Sequence, residues 1–123
     1  MTAGLHLTGK ARSDRAFVTL ATNADYLIGA AALFKSLIRT GTTADLVLLH
    51  TDVPDNLLHG LAARGVRTVQ ADLLPTSRDF NALHARDRLH GAAPFTKGCK
   101  PPFHTPLDNF VKLRLLQLDY ARV

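Results

Sequence analysis

The sequence predicts an α/β fold in which a mostly parallel sheet is flanked by helices. Between residues 16 and 70, apolar segments alternate in the order strand, helix, strand, helix, strand, which is the pattern of parallel strands joined by right-handed crossovers. One of these segments, Asp45–His50, contains an uninterrupted apolar run typical of a strand buried on both faces. The 123 residues are 46% hydrophobic and 20% charged, values that fit one globular domain and exclude global disorder.

The first strand and the first helix are predicted at residues 16–40. Ala16–Thr22 is rich in apolar and β-branched residues, as expected of a buried strand. From Ala24 to Thr40 the apolar period becomes helical, with Asn23 as the N-cap and Gly41 as the stop signal. Because apolar residues also lie beside the main stripe, we expect this helix to be buried on more than one side. The residues concerned are Ile28, Ala32 and Leu33.

The remaining elements are shorter. Pro54 can open a second helix that Gly65 ends. Val66–Gln70 is predicted to be the third strand, and Pro106–Leu118 has the pattern of a last helix. The apolar face of the second helix is predicted to contain Leu57, Leu58, Leu61 and Ala62.

Two stretches fall outside this pattern. Residues 1–15 are polar and aperiodic and are interpreted as a flexible lead-in. Residues 71–105 contain four prolines and three histidines and predict an irregular loop, apart from a helical turn or two over Asn81–Leu89. The sequence stops at Val123 where a helix finishes and an apolar segment starts, which is typical of a cut rather than of a natural terminus.

Charge and composition exclude several classes of protein. The net charge of +5 either favours anionic partners such as nucleotides or reflects a slightly basic surface alone. The chain has no long Lys/Arg block, its aromatic content is 7% and it lacks Trp, so we expect no nucleic-acid partner. No run approaches about 18 apolar residues, and the start has no basic segment followed by an apolar core. We therefore expect a cytoplasmic protein with no membrane partner.

The end of the first strand is the most informative position for function. In open α/β sheets, ligands bind beyond the carboxyl ends of the strands, beside helix N-termini. Thr22 and Asn23 could hydrogen-bond the edge of a base or ribose, and Tyr26 could stack on a flat ring. The alternative is that Asn23 only caps the helix and Tyr26 only packs. Since no glycine-rich phosphate loop is present, neither a dinucleotide fold nor a P-loop is supported.

Other charged and metal-ligating residues carry weaker signals. Lys112 either pairs with Asp108, one helical turn earlier, or contacts a diphosphate or a sugar hydroxyl. The six histidines form no His-x-x-x-His pair and no His-Glu-x-x-His motif, so no histidine metal site is expected. The single cysteine, Cys99, excludes an internal disulfide. Three aspartates flank the predicted strands and are interpreted as turn residues. They are Asp45, Asp52 and Asp72.

Two longer segments carry a family pattern. They are AFVTLATNADYLIGAA at residues 16–31 and TPLDNFVKLRLLQLDYARV at residues 105–123. The first resembles the opening of glycosyltransferase family 8, the glycogenin and galactinol synthase group, and the second resembles the helix before that family's metal-binding strand. The segments at 46–52 and 66–70 fall where the family has its second and third strands. The resemblance covers residues 16–123.

This resemblance implies a partial GT-A fold, the Rossmann-like α/β fold of nucleotide-diphosphosugar transferases. It implies transfer of a hexose, glucose or galactose, from a UDP-sugar to a sugar, polyol or protein acceptor, with retention at the anomeric carbon. Carried across residue by residue, it assigns one set of positions to the uridine and one lysine to the donor sugar and diphosphate. These positions are Leu20, Thr22, Asn23 and Tyr26 for the uridine and Lys112 for the sugar and diphosphate.

The metal site of the family is missing from this sequence. The resemblance implies Mn²⁺ held by an Asp-x-Asp motif that would lie beyond the position of Val123, and no Asp-x-Asp occurs in the chain. We therefore interpret residues 16–123 as the N-terminal, nucleotide-sugar-binding half of a glycosyltransferase domain, and we expect it to be inactive alone. The alternative is a small stand-alone α/β module that binds nucleotides or a partner without catalysis.

Overall fold

The described part of the chain comprises two compact units. The computed structural model describes residues 5–51, 53–72, 74, 77–83 and 110–123. The first unit consists of Met1–Asp72 with Lys112–Val123, and the second consists of Leu73–Val111. Every candidate site described below lies within the first unit.

A three-stranded parallel sheet forms the centre of the first unit. Its strands are β1 (Ala16–Ala21), β2 (Asp45–His50) and β3 (Arg67–Gln70), in the spatial order β1-β2-β3. In the register of this sheet, Leu20 lies opposite Leu49, which in turn lies opposite Val69. The predicted α/β class with parallel strands is confirmed, and the arrangement is consistent with a partial Rossmann-like fold.

Two helices connect the strands and share one hydrophobic core. The helix α1 (Ala24–Arg39) joins β1 to β2, and α2 (Asp55–Ala62) joins β2 to β3. Alternate residues of β2 contribute to this core because successive side chains of a strand point to opposite faces. Burial of each large apolar side chain contributes about 1.5–3 kcal/mol. The core contains Ala21, Leu27, Ala30, Phe34, Leu46, Leu48, Leu58, Leu61 and Val66.

The helix ends follow the signals in the sequence. Asn23 is the N-cap of α1, as predicted, and Gly41 follows its C-cap with φ of 74°. α2 begins one residue later than predicted, so that Pro54 is its N-cap rather than its first helical residue. Gly65 follows α2 with φ of 89°, a backbone conformation that glycine adopts without the steric cost of a Cβ atom.

β1 and α1 are more exposed than the sequence predicts. Only the two ends of β1 are buried, and Phe17 is 47% exposed. On α1, Ile28 is 77% exposed, Leu33 is 42% exposed and Ala32 is also exposed. The prediction that α1 is buried on several sides is therefore wrong for the described structure, because this helix packs through a single stripe. β1 is exposed along its middle because, among the described strands, it pairs with β2 alone.

The last helical segment is a 3₁₀ helix. It spans Phe110–Gln117, whereas the pattern in the sequence predicts a helix over 106–118, of which residues 106–109 lie outside the described residues. Such long 3₁₀ runs are uncommon in proteins. Beyond it, Arg122 forms an isolated parallel bridge with Arg15, and the Ala16 amide donates to the Arg122 carbonyl at 2.9 Å.

The second unit contains the short helix α3, Arg78–Leu83. The Phe80 amide donates to the Ser77 hydroxyl at 3.1 Å, and the Phe80 ring lies 5.6 Å from the Phe110 ring. The helical turn predicted over Asn81–Leu89 therefore begins earlier, at Arg78, and its residues 84–89 lie outside the described residues. None of the helices in the described ranges combines the length and the apolar composition needed to cross a membrane.

Candidate functional site

Polar side chains collect at the carboxyl edge of the sheet. Thr22 and Asn23 follow β1, while His50 and Gln70 are the last residues of β2 and β3. The Thr51 amide donates to the Ala21 carbonyl at 3.1 Å, so the residue that follows β2 is hydrogen-bonded to the last residue of β1. Since parallel strands present their carboxyl ends at one edge, the edge at which the sequence predicts ligand binding is present in the fold.

Asn23 caps α1 through its side-chain oxygen. Asn23 Oδ1 accepts hydrogen bonds from the Asp25 amide at 2.9 Å and the Tyr26 amide at 3.2 Å. The capping interpretation of this residue is therefore confirmed. Within the described residues, its amide nitrogen Nδ2 makes no hydrogen bond, so one Asn23 side chain can cap the helix and donate to a ligand at the same time.

Tyr26 and Thr22 lie on either side of this cap. Tyr26 is in the first turn of α1 and is 38% exposed, which leaves part of its ring accessible. Thr22 is half-buried, and its carbonyl accepts a hydrogen bond from Thr51 Oγ1 at 3.4 Å. The backbone at Thr22 is thus fixed by β2, and the predicted uridine-binding residues lie on one continuous segment across the carboxyl edge.

Leu20 and Lys112 line the same cavity. These two predicted site residues are far apart in the sequence, and the fold brings both to a cavity of about 240 Å³. Within the described residues Lys112 makes no ion pair, and its predicted alternative partner Asp108 lies outside them. The Lys112 ammonium group therefore lies beside a cavity whose other lining side chains are mostly apolar. The lining consists of Val18, Thr19, Leu20, Leu49, Lys112 and Leu115.

A second cavity at the carboxyl edge was not predicted from the sequence. It has a volume of about 300 Å³ and lies at the ends of β2 and β3, beside the first turn of α2. His50 is only 8% exposed there. Burial lowers the pKa of this imidazole, and the nearby Asp55 carboxylate opposes the shift. In the sequence, the only feature that indicates this cavity is a histidine at the end of an apolar strand. The lining consists of His50, Val53, Pro54, Asp55 and Gln70.

At the amino edge of the sheet, Asp45 is a buried carboxylate rather than the turn residue that the sequence predicts. It is 1% exposed. Its two oxygens accept the Arg12 amide at 3.1 and 3.0 Å, and Oδ2 also accepts the Tyr120 hydroxyl at 2.6 Å. The Asp45 carboxylate therefore links three segments: the start of β2, the segment before β1 through Arg12, and the segment after the 3₁₀ helix through Tyr120.

Arg67 completes this group, which we call the Asp45 cluster (Arg12, Asp45, Arg67 and Tyr120). Arg67 Nη1 donates to the Tyr120 hydroxyl at 2.7 Å and lies 3.9 Å from Asp45 Oδ2. Burial and the hydrogen bond to Asp45 raise the pKa of Tyr120. The Asp45 carboxylate, the Tyr120 hydroxyl and the Arg67 guanidinium are hydrogen-bonded or paired with one another, so the buried part of the cluster is interpreted as structural.

The lead-in also joins this edge. Arg67 Nε donates to the Thr8 carbonyl at 2.9 Å, and the Thr8 amide donates to the Thr68 carbonyl at 3.0 Å. The segment interpreted as a flexible lead-in therefore makes specific hydrogen bonds through Thr8 and Arg12. Its flexibility in solution stays a prediction.

The Mn²⁺ implied by the family resemblance finds no ligand set in this part of the chain. Among the described residues, no group of three or more His, Cys, Asp or Glu side chains could hold a metal ion. Asp52, Cys99 and Asp108 lie outside the described ranges. The described residues thus supply no site for this ion, and Mn²⁺ stays an implication of the resemblance.

Comparisons with protein-family models, with curated proteins and with solved structures found no match to this chain. The resemblance to glycosyltransferase family 8 stays a prediction that depends on the residues quoted above. The positions of those residues in the fold support the function proposed below.

Proposed function

We propose that this chain forms the nucleotide-sugar-binding part of a hexosyltransferase of the family 8 type, with a partial GT-A fold. The proposed reaction transfers glucose or galactose from a UDP-sugar to a sugar, polyol or protein acceptor. The observation that carries the proposal is the cavity shared by Leu20 and Lys112. Its lining contains residues from both parts of the sequence that resemble the family, Val18–Leu20 of β1 and Lys112 and Leu115 of the 3₁₀ helix.

The uridine would bind where β1 passes into α1. A base presents flat faces and an edge of hydrogen-bonding groups, and the exposed part of the Tyr26 ring can stack against such a face. Asn23 Nδ2 is a donor whose position is fixed by the capping bonds of Oδ1. The N-cap therefore holds the Asn23 amide group in place before any ligand arrives, which lowers the entropy lost on binding.

Lys112 would contact the diphosphate. Breaking the bond between the anomeric carbon and the diphosphate leaves negative charge on the departing phosphate oxygens. An ammonium group beside these oxygens stabilises this charge more in the transition state than in the ground state, and so lowers the barrier. Lys112 is exposed in the described chain, and the apolar side chains beside it, among them Leu20 and Leu115, form the wall against which a bound donor would cover it.

Isothermal titration calorimetry of the full chain with UDP tests the proposal, with ADP as the matched nucleotide. We expect UDP to bind more tightly than ADP, and Lys112→Ala to weaken UDP binding by about tenfold, or 1.4 kcal/mol. Lys35→Ala is the control, because Lys35 is an exposed lysine on α1 away from the cavity. Equal affinity for UDP and ADP, or equal effects of the two lysine substitutions, would contradict the proposal.

A non-catalytic nucleotide-binding module is the second candidate. It is favoured by the hydrophobic core that α1 and α2 share in the first unit and by the hydrogen-bonded Asp45 cluster at its amino edge. Both candidates predict UDP binding, but only the transferase, in which Lys112 also reaches the donor sugar, predicts that Lys112→Ala weakens UDP-glucose more than UDP. Equal loss for UDP and uridine in Lys112→Ala would show that this lysine does not contact the diphosphate.

A further inference from the structure

The cavity at the ends of β2 and β3 is separate from the residues proposed to bind the nucleotide. Among the described residues, its lining shares none with the cavity of Leu20 and Lys112. It combines the last residues of two strands, His50 and Gln70, with the amino end of α2. Carboxyl ends of parallel strands beside a helix start are the usual position of ligand sites in open α/β sheets.

The buried side chain of His50 points to a ligand. The residue is only 8% exposed and lines the cavity. Within the part of the chain that the structure describes, its imidazole forms no hydrogen bond. Buried polar groups in folded proteins almost always have a hydrogen-bond partner from the protein, from ordered water or from a ligand, so this imidazole is available to pair with a molecule that enters the cavity.

The lining selects for an uncharged, hydroxyl-bearing molecule. Since burial lowers the pKa of His50, the imidazole is neutral near pH 7 and offers one donor and one acceptor. Asp55 is an acceptor, and the Gln70 amide is both donor and acceptor. α2 begins without a side-chain cap, so its first amides add further donors. Hydroxyl groups, which donate and accept, match this mixture.

Other ligand classes fit less well. An anion would meet the Asp55 carboxylate, and a cation would meet the positive end of α2 with one carboxylate to bind it. A nucleobase would lack a stacking partner, because the described lining contains no aromatic ring other than the buried His50 imidazole. The volume of about 300 Å³ accommodates a single sugar ring.

We propose that this cavity binds an uncharged polyhydroxylated molecule of the size of a monosaccharide, whose hydroxyls pair with His50, Asp55 and Gln70. The proposal goes beyond the nucleotide-sugar function and does not depend on it. It assigns to this edge of the sheet a second ligand that can be present without UDP.

Histidine-detected NMR of the full chain tests this inference, with D-glucose and D-galactose as probes and inorganic phosphate as the anionic comparison. We expect the His50 ring signals to shift saturably with at least one sugar, with a Kd in the millimolar range that is usual for so small a ligand. His59 is exposed on α2 and is the internal control. A saturable His50 shift with phosphate and none with the sugars would overturn the proposal.

Substitutions of exposed residues on the rim of the cavity should leave the fold intact, so they test ligand binding separately from folding. Gln70 is exposed, so we expect Gln70→Ala to fold and to weaken sugar binding by about tenfold. His59→Asn should leave it unchanged. Tyr26→Ala, which removes the ring proposed to stack on uridine, should also leave it unchanged, so failure of the UDP proposal and failure of this one are distinguishable. Unaltered sugar affinity in Gln70→Ala would contradict the assignment.

Discussion

The two edges of the sheet use their polar residues in opposite ways. At the amino edge, the Asp45 carboxylate, the Tyr120 hydroxyl and the Arg67 guanidinium hydrogen-bond or pair with one another. Towards the carboxyl ends of the strands, the side chains of His50 and Lys112 each line a cavity and make no hydrogen bond or ion pair within the described residues. The first arrangement satisfies its buried polar groups internally, and the second is the one for which we propose ligands.

This difference separates structural residues from candidate functional ones. A buried group whose partners all come from the chain contributes to stability, and its removal leaves those partners unsatisfied. A buried group without a partner lowers stability, and it is retained in functional sites because a ligand completes it. We therefore expect substitutions at the amino edge to change stability, and substitutions at the carboxyl edge to change binding.

Asp45→Ala should have the largest effect on stability. It leaves the Arg12 amide and the Tyr120 hydroxyl without their acceptor, and we expect the free energy of unfolding to fall by about 3–5 kcal/mol. Urea unfolding followed by circular dichroism measures this loss. Asp119→Ala is the matched control, since Asp119 is exposed, and it should change stability by about 0.5 kcal/mol or less. Similar losses in both variants would remove the distinction between the edges.

Tyr120→Phe should have a smaller effect, because it removes one hydroxyl and keeps the ring. We expect a loss of about 1–3 kcal/mol, since the substitution leaves Asp45 with one donor fewer. A double-mutant cycle with Asp45→Asn measures the coupling between the two residues by urea unfolding. Additive losses would show that the 2.6 Å hydrogen bond between them contributes nothing beyond the separate side chains.

Alkaline pH should weaken the amino edge through Tyr120. Its pKa in the folded chain is raised above 10.0 by burial and by the hydrogen bond to Asp45. The folded state therefore binds the phenol proton more tightly than the unfolded state, so this contribution is complete below pH 10.0 and is lost as the pH rises through the folded pKa. Stability profiles between about pH 9 and 11 should be flatter in Tyr120→Phe. Identical profiles would contradict this linkage.

Mildly acidic pH should weaken the carboxyl edge through His50. Its pKa in the folded chain is lowered from 6.5 by burial, so the folded state binds the imidazole proton less tightly than the unfolded state. The contribution is complete above pH 6.5 and is lost as the pH falls through the folded pKa. His50→Gln should flatten the stability profile in this window, as measured by urea unfolding at each pH. A profile unchanged by His50→Gln would show that the imidazole is not desolvated.

Lys112→Ala should have the smallest effect on stability. Lys112 is exposed, and we expect its removal to change the free energy of unfolding by about 0.5 kcal/mol or less. Thermal unfolding measured beside Lys35→Ala provides the comparison. A loss as large as that of Tyr120→Phe would indicate that Lys112 supports the fold, and would weaken the assignment of this residue to a ligand.

Local sequence patterns predicted most of the fold in the first unit. The bounds of β2 and the N-cap of α1 agree with the structure, because a strand's apolar run and a helix's cap are properties of neighbouring residues. The burial of α1 was overestimated, since Ile28 and Leu33 have apolar side chains whose exposure depends on what packs against the helix. The same limit applied to Asp45, whose partners come from distant segments.

The sequence by itself determined the order of strands and helices, the helix ends at Gly41 and Gly65, and the segment at Asn23 that crosses the carboxyl edge. Only the tertiary structure decided that Leu20 and Lys112 line one cavity and that His50 is buried without a partner in the described chain. The physical reason is that parallel pairing sets which residues of separate strands become neighbours. Cavities and buried polar groups arise from that packing, which no local pattern encodes.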